Sequence, residues 1–153
     1  MQRAVIFAAI FLTIAIALVF FTIKDGSVLP YVPDEAFAPA VRIAGTTIHV
    51  EIADEPEEQR KGLSGRDALA PGNGMLFVFD RDDTYGIWMK DMRFAIDVLW
   101  VVEDGTIVDI RERVTPETYP DVFSPKVPAR YVLEVPADFV DLYGVRIGDR
   151  VDL

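Results

Sequence analysis

Residues Ala4 to Ile23 form a 20-residue run without charge, glycine or proline, in which only Thr13 and Thr22 are not hydrophobic. As a helix the run would measure about 30 Å, the thickness of the hydrocarbon core of a bilayer. An N-terminal transmembrane helix over residues 4–23 is therefore expected, within an anchor of residues 1–24. The rival reading is a secretory signal, whose apolar core spans about 7–15 residues before a small-residue cleavage site. Here the exit Val19-Phe20-Phe21-Thr22-Ile23-Lys24-Asp25 is bulky. An uncleaved signal anchor is the expectation, and secretion after cleavage is the alternative. Arg3 and Lys24 flank the two ends almost evenly, so the positive-inside comparison is close to balanced. With two residues ahead of Arg3, the simplest insertion leaves the short end in the cytoplasm and makes a single-pass protein with its C-terminal part extracytoplasmic.

The 153-residue chain carries a formal net charge of -10; outside residues 1–24, 13 basic groups face 25 acidic ones, a net -12. Such a domain is repelled by anionic leaflets. Nucleic-acid binding is excluded as an expectation, because phosphate contacts need clustered Lys and Arg. The absence of cysteine removes disulfides, thiolate zinc sites, cysteine nucleophiles, CxxC redox chemistry and a lipid-bearing cysteine. A single histidine, His49, removes two-histidine metal motifs. No cofactor or metal site is expected.

Residues 25–40, with Pro30, Pro33 and Pro39, read as an extended linker, and the folded domain is expected over 41–153. Val41-Arg42-Ile43 and Thr47 to Ile52 alternate around Gly45 as a hairpin with one wet face, which places His49 in solvent. Asp54 to Gly62 reads as a short helix capped by Asp54, with Pro56 in its first turn. Strands are expected at Gly74–Phe79, Tyr85–Lys90, Ala95–Val102, Thr106–Ile110, Tyr131–Val135 and Val145–Leu153, the last with a turn at Gly148-Asp149, and a second short helix at Asp138–Tyr143. Glu103-Asp104-Gly105 is a hairpin turn, and Pro116 to Pro128 a long surface loop. The fold class is mainly β: one compact β-sandwich or barrel with one or two short helices behind the transmembrane helix.

The blocks Gln59-Arg60-Lys61-Gly62-Leu63-Ser64-Gly65-Arg66, Gly74 to Phe79, Ile87 to Met92, Ile96-Asp97-Val98, Asp104-Gly105 and Ala129 to Val135 resemble the DUF192 family, also called UPF0127. The resemblance covers about residues 41 to 153 and implies a compact, jelly-roll-like β domain found behind a signal or membrane anchor. It implies no activity, since none is assigned to the family. Three departures stand out: Ser64 where methionine is frequent, Ala137-Asp138 where Ala-Gly is common, and a Pro116–Pro128 loop without the cysteine pair of some members. Loss of that staple implies a more mobile loop.

Within these blocks Arg60, Arg66, Trp88, Lys90, Asp97, Arg130 and Glu134 form the candidate ligand-binding set. Cationic groups beside a tryptophan suit a carboxylate, phosphate or sugar, the ring giving a stacking face. The competing account is a set of ion pairs that tie strands together. Asp97 interrupts an apolar run, and a buried carboxylate there needs a donor. Two function classes follow. The first is a non-catalytic module that binds a small ligand, glycan or envelope protein. The second is a hydrolase or transferase acting on envelope material, with Asp97 and Glu134 as paired carboxylates roughly 5–10 Å apart. Met75, Met89 and Met92 read as core packing ahead of a Cu(I) thioether site, and Asp80, Asp82 and Asp83 as solvated loop charge ahead of a calcium site.

Overall fold

The computed structural model describes residues 39–153, together with the backbone pairing of two short N-terminal strands. Those strands, β1 (Thr22–Lys24) and β2 (Ser27–Leu29), pair antiparallel with Thr22 opposite Leu29. They belong to one compact unit, Met1–Phe37, and the remaining chain to another, Ala38–Leu153. The expected membrane helix lies outside the described residues apart from Thr22 and Ile23, which are in strand and not in helix. Among the described residues no helix is long and apolar enough to cross a membrane. The expected linker also contains β2, and its last residue, Ala40, opens the first strand of the second unit.

The second unit is one seven-stranded sheet. In chain order its strands are β3 (Ala40–Ile43), β4 (Thr46–Ala53), β5 (Asn73–Asp83), β6 (Ile96–Val101), β7 (Ile107–Val114), β8 (Ala129–Pro136) and β9 (Val151–Asp152). Their order across the sheet is β7-β6-β8-β5-β4-β3-β9. The alternation around Gly45 does form a hairpin, with Val41 opposite Ile48. Ala44 and Gly45 both take positive φ, as a tight turn between right-twisted strands requires. All six residues of β6 are buried, which is why this strand reads as an apolar run broken only by Asp97.

A two-sheet sandwich or jelly roll is not what forms. Helix α1 (Pro56–Lys61) connects β4 to β5 as a parallel crossover, in a sheet whose other pairs are antiparallel. The sheet curls into a half-barrel until its ends meet: Thr106 bridges Arg150, Ile107 N donates to Asp149 O at 2.9 Å, and Val151 N donates to Gly105 O at 2.8 Å. Residues on the inner face, including Ile43, Ile48, Leu99, Leu133 and Val151, pack with Phe139 and Val140 of α2 (Phe139–Tyr143). The outer face carries a second cluster, in which Phe77, Val98, Trp100 and Val132 are covered by Leu63, Ile87 and Met89.

At the seam, Gly105 has φ +88°, and a Cβ placed there would lie 2.5 Å from the Val151 carbonyl oxygen. Gly105→Ala is expected to cost about 3 kcal/mol, through the left-handed backbone and forced separation of β9. Urea denaturation checks this, and a loss below about 0.5 kcal/mol would mean that the seam gives way freely.

Three local expectations are corrected. Tyr85–Lys90 is not a strand: only Ile87 bridges, to Phe123, and the segment crosses the outer face of the sheet. The cap of α1 is Glu55, not Asp54, with the Glu58 side chain accepting from Glu55 N. The expected strand at Val145–Leu153 reduces to β9. The Pro116–Pro128 loop, without a disulfide, is tied down by the buried Asp109, whose Oδ2 accepts from Lys126 N at 2.9 Å, and by the paired backbones of Ile87 and Phe123.

Candidate functional site

Cross-strand register decides which candidate residues can meet. Asp97 is opposite Val135, and Glu134 is opposite Val98 on β6 and Met75 on β5. Side chains of adjacent residues point to opposite faces of a sheet, so Asp97 lies with the inner core and Glu134 with the outer one. The two carboxylates do not share a cleft, and the paired-carboxylate hydrolase is corrected on that ground.

Asp97 is fully buried and has a structural task. Its Oδ1 accepts from Arg113 N at 2.7 Å and its Oδ2 from Val140 N at 2.9 Å. The first amide is aimed at it because Arg113 takes φ +50° at an irregularity in β7, and the second belongs to the first turn of α2. Arg113 in turn donates through Nε to Asp138 Oδ1 at 2.6 Å and also pairs with Asp141. Asp138 itself has φ +68°, the region in which glycine is the easiest residue, so the Ala-Gly to Ala137-Asp138 departure exchanges backbone ease for an ion pair.

On the outer face a cavity of about 60 Å³ lies over β5, β8 and β6. Phe77, Ile96 and Glu134 form its floor, and Gln59, Arg60, Lys61 and Ser64 line one wall. Gly86, Trp88, Met89 and Met92 line the other. The two walls are joined: Ser64 Oγ donates to Lys90 O at 2.7 Å, and Gly65 N donates to Asp91 O at 2.8 Å. Gln59 Nε2 donates to Val78 O at 2.8 Å and so holds α1 down on β5.

Glu134 is the group of greatest chemical interest. Its side chain is enclosed, with 5% of the residue exposed, and among the described residues no hydrogen bond or ion pair reaches its carboxyl. No fully enclosed side-chain oxygen or nitrogen among the described residues lacks a partner. The Glu134 oxygens therefore open onto the cavity. Burial pushes this carboxyl up to about 8, and the charge of Arg66 opposes the rise without cancelling it. Arg66 is itself committed to Glu51 on β4 through a two-pronged pair, one bond of which is 2.7 Å. That hydrogen-bonded pairing holds Glu51 below the ordinary carboxylate range and raises Arg66.

Arg60, Trp88 and Glu134 thus line one cavity, and Lys90 adjoins it with Nζ 5.7 Å from the Trp88 ring centroid. Trp88 is 44% exposed and tilts against Tyr119 at 5.9 Å between centroids. Arg60 also pairs with Glu57 at 3.0 Å, on the exposed side of α1. Arg66 is beside the cavity without lining it, and Arg130 is half-buried on β8 away from it. Sequence reasoning missed Gln59, Lys61 and Ser64 as wall residues, although all three lie in the same block as Arg60. Met75 and Met89 are in the core, His49 is exposed, and among the described residues no three acidic or histidine groups gather as a metal cage.

Comparison with known proteins adds a relationship and no activity. No curated protein matches the chain. A crystal structure of a "putative transcription regulator" from Sinorhizobium meliloti 1021 is 36% identical, with TM-score 0.70, covering 74% of this chain and 91% of that one. A protein of unknown function from Novosphingobium aromaticivorans DSM 12444 is 25% identical, with TM-score 0.71, covering 74% and 84%. The profile of DUF192, described as an uncharacterized ACR, matches residues 40–153. On that match the chain belongs to the DUF192 family.

Proposed function

We propose that the protein is a membrane-anchored, extracytoplasmic binding module that takes a small polar group into the Glu134 cavity without transforming it. One observation carries the reading: a largely buried carboxyl with no hydrogen-bond or ion-pair partner among the described residues opens onto the cavity. A carboxyl that faces the cavity is open to water, and a ligand that hydrogen-bonds Glu134 takes the place of that water.

Size narrows the ligand. Sites that engulf whole ligands measure about 300–1,000 Å³, against about 60 Å³ here. The cavity accordingly takes a terminal group, and the rest of a small molecule, glycan or envelope protein lies outside, over the exposed ring of Trp88. The anchor rests on the apolar run of residues 4–23, and the net -12 of the remainder keeps the domain off anionic lipid. The same acidity weighs against carrying over transcription regulation, the role named for the Sinorhizobium protein, because phosphate backbones demand the opposite sign.

The test is a thermal-shift screen of the detergent-solubilised full chain against small carboxylates, amines, sugars and nucleotides. Stabilisation by a small polar compound, lost in Glu134→Ala, is expected. Equal shifts in wild type and variant would place the binding elsewhere. Carbonate extraction and outside-only protease digestion test the anchor, with release into the soluble fraction as the opposing result.

A further inference from the structure

We propose that the Glu134 cavity binds the carboxylate of an organic acid, with the carboxyl of Glu134 donating its proton as a hydrogen bond and the apolar remainder of the ligand resting on Trp88 and Tyr119. The proposal rests on the binding reading above and adds to it the sign and class of the ligand.

Three independent features converge. The first is volume, since about 60 Å³ is well below the size of a site that engulfs a whole ligand. A planar carboxylate of three non-hydrogen atoms is a terminal group of the size this space admits. The second is the rim. Arg60 and Lys61 line the cavity, and Lys90 borders the adjoining depression with them. Glu57 and Asp91 are the acids beside that rim, and Glu57 is held by Arg60. A cationic rim on a chain that is net -12 outside residues 1–24 is a local reversal of sign, and it admits an anion more readily than an ammonium group.

The third is the floor. Every element around Glu134 contributes to its surroundings: Arg60 and Lys61 from α1, Arg66 from the loop that follows, and Glu51 from β4, already held by Arg66. Lys90 and Asp91 come from the covering segment, while β5 and β6 present only Met75, Phe77, Ile96 and Val98. In this setting the carboxyl keeps its proton at neutral pH, because burial moves its titration up to about 8. A protonated acid facing an incoming carboxylate makes an O–H···O⁻ bond, among the shortest and strongest hydrogen bonds available to a protein. Two ionised carboxylates there would repel. At the mouth, Trp88 and Tyr119 are 44% and 46% exposed, a tilted aromatic pair that the described residues leave partly open.

The test is isothermal titration of the detergent-solubilised full chain with phenylacetate, phenylacetamide and phenethylamine between pH 6.5 and 9.5. Phenylacetate is expected to bind best, with affinity level near neutrality and falling about tenfold per pH unit above the Glu134 transition near 8. Glu134→Gln, whose amide N–H still donates, should bind phenylacetate with no such fall. Glu134→Ala, shown folded by circular dichroism, should lose it. Phenethylamine bound more tightly as pH rises would overturn the carboxylate proposal and leave the cavity reading standing, and so would phenylacetamide bound as well as phenylacetate. Phenylacetate bound equally by wild type and Glu134→Ala would overturn both. Silence from all three compounds would overturn the proposal, and the wider screen would then decide the binding reading separately. Because a free small acid and a chain-terminal carboxylate share this chemistry, a Phe-ending peptide and its C-terminal amide distinguish the two sources.

Discussion

Replacing Glu134 with Gln stabilises the protein at pH 9 by about 4–5 kcal/mol and leaves it nearly unchanged at pH 4.5. The unfolded chain releases the Glu134 proton at about 4.5, whereas the native protein holds it to about 8. Between those values the native state binds more protons than the unfolded one, so the stability of the wild type falls as pH rises. Above pH 8 both states have ionised and the full penalty remains. Each pH unit in the window is worth about 1.4 kcal/mol. Gln is nearly isosteric and carries no titrating proton, so subtracting the variant's pH–stability curve removes the contributions of every other acid. Urea midpoints of both proteins from pH 4.5 to 9 check this. Parallel curves would show that Glu134 ionises at no cost and that its surroundings are as wet as bulk solvent.

Asp97→Ala is expected to destabilise the protein by about 4 kcal/mol and to lower Tm by about 15 °C, with ligand binding per folded molecule unchanged. Hydrogen bonds to a charged acceptor contribute about 1.5–3 kcal/mol each, and Asp97 accepts two of them, from the backbone amides of Arg113 and Val140. Asn is a poor replacement, since its amide offers one oxygen where two donors converge. Thermal denaturation measures the loss. An alanine variant of full stability but altered binding would return Asp97 to the functional residues.

These two carboxylates show how far a sequence reading reaches. Both belong to family blocks and both stand in apolar surroundings, so the linear pattern treats them alike. Pairing register separates them, because a one-residue offset along a strand exchanges one face for the other. Register depends on which strands become neighbours. The parallel β4–β5 pair, closed by α1, is a contact between residues such as Val50 and Gly74, and neither segment encodes the other. The same limitation explains Tyr85–Lys90. Its apolar residues serve as a cover over the outer core, and a cover has the composition of a strand without a partner. Arg60, Trp88 and Glu134 come together because an edge of α1, a covering segment and a central strand converge, while Arg66 is captured by Glu51 before it reaches the cavity.

What the sequence determined by itself was local. The apolar run of residues 4–23 defined a segment unlike the rest, alternation defined the β3–β4 hairpin, and continuous burial marked β6. Composition removed cysteine and histidine chemistry, and the family blocks delimited the domain to within a residue of the matched range. The tertiary structure alone decided that one curled sheet forms in place of two, that Asp97 serves as a staple, and that Glu134 opens onto a cavity. The physical reason is that burial patterns are set by each segment's own side chains, whereas a site is defined by distances between segments far apart in the chain.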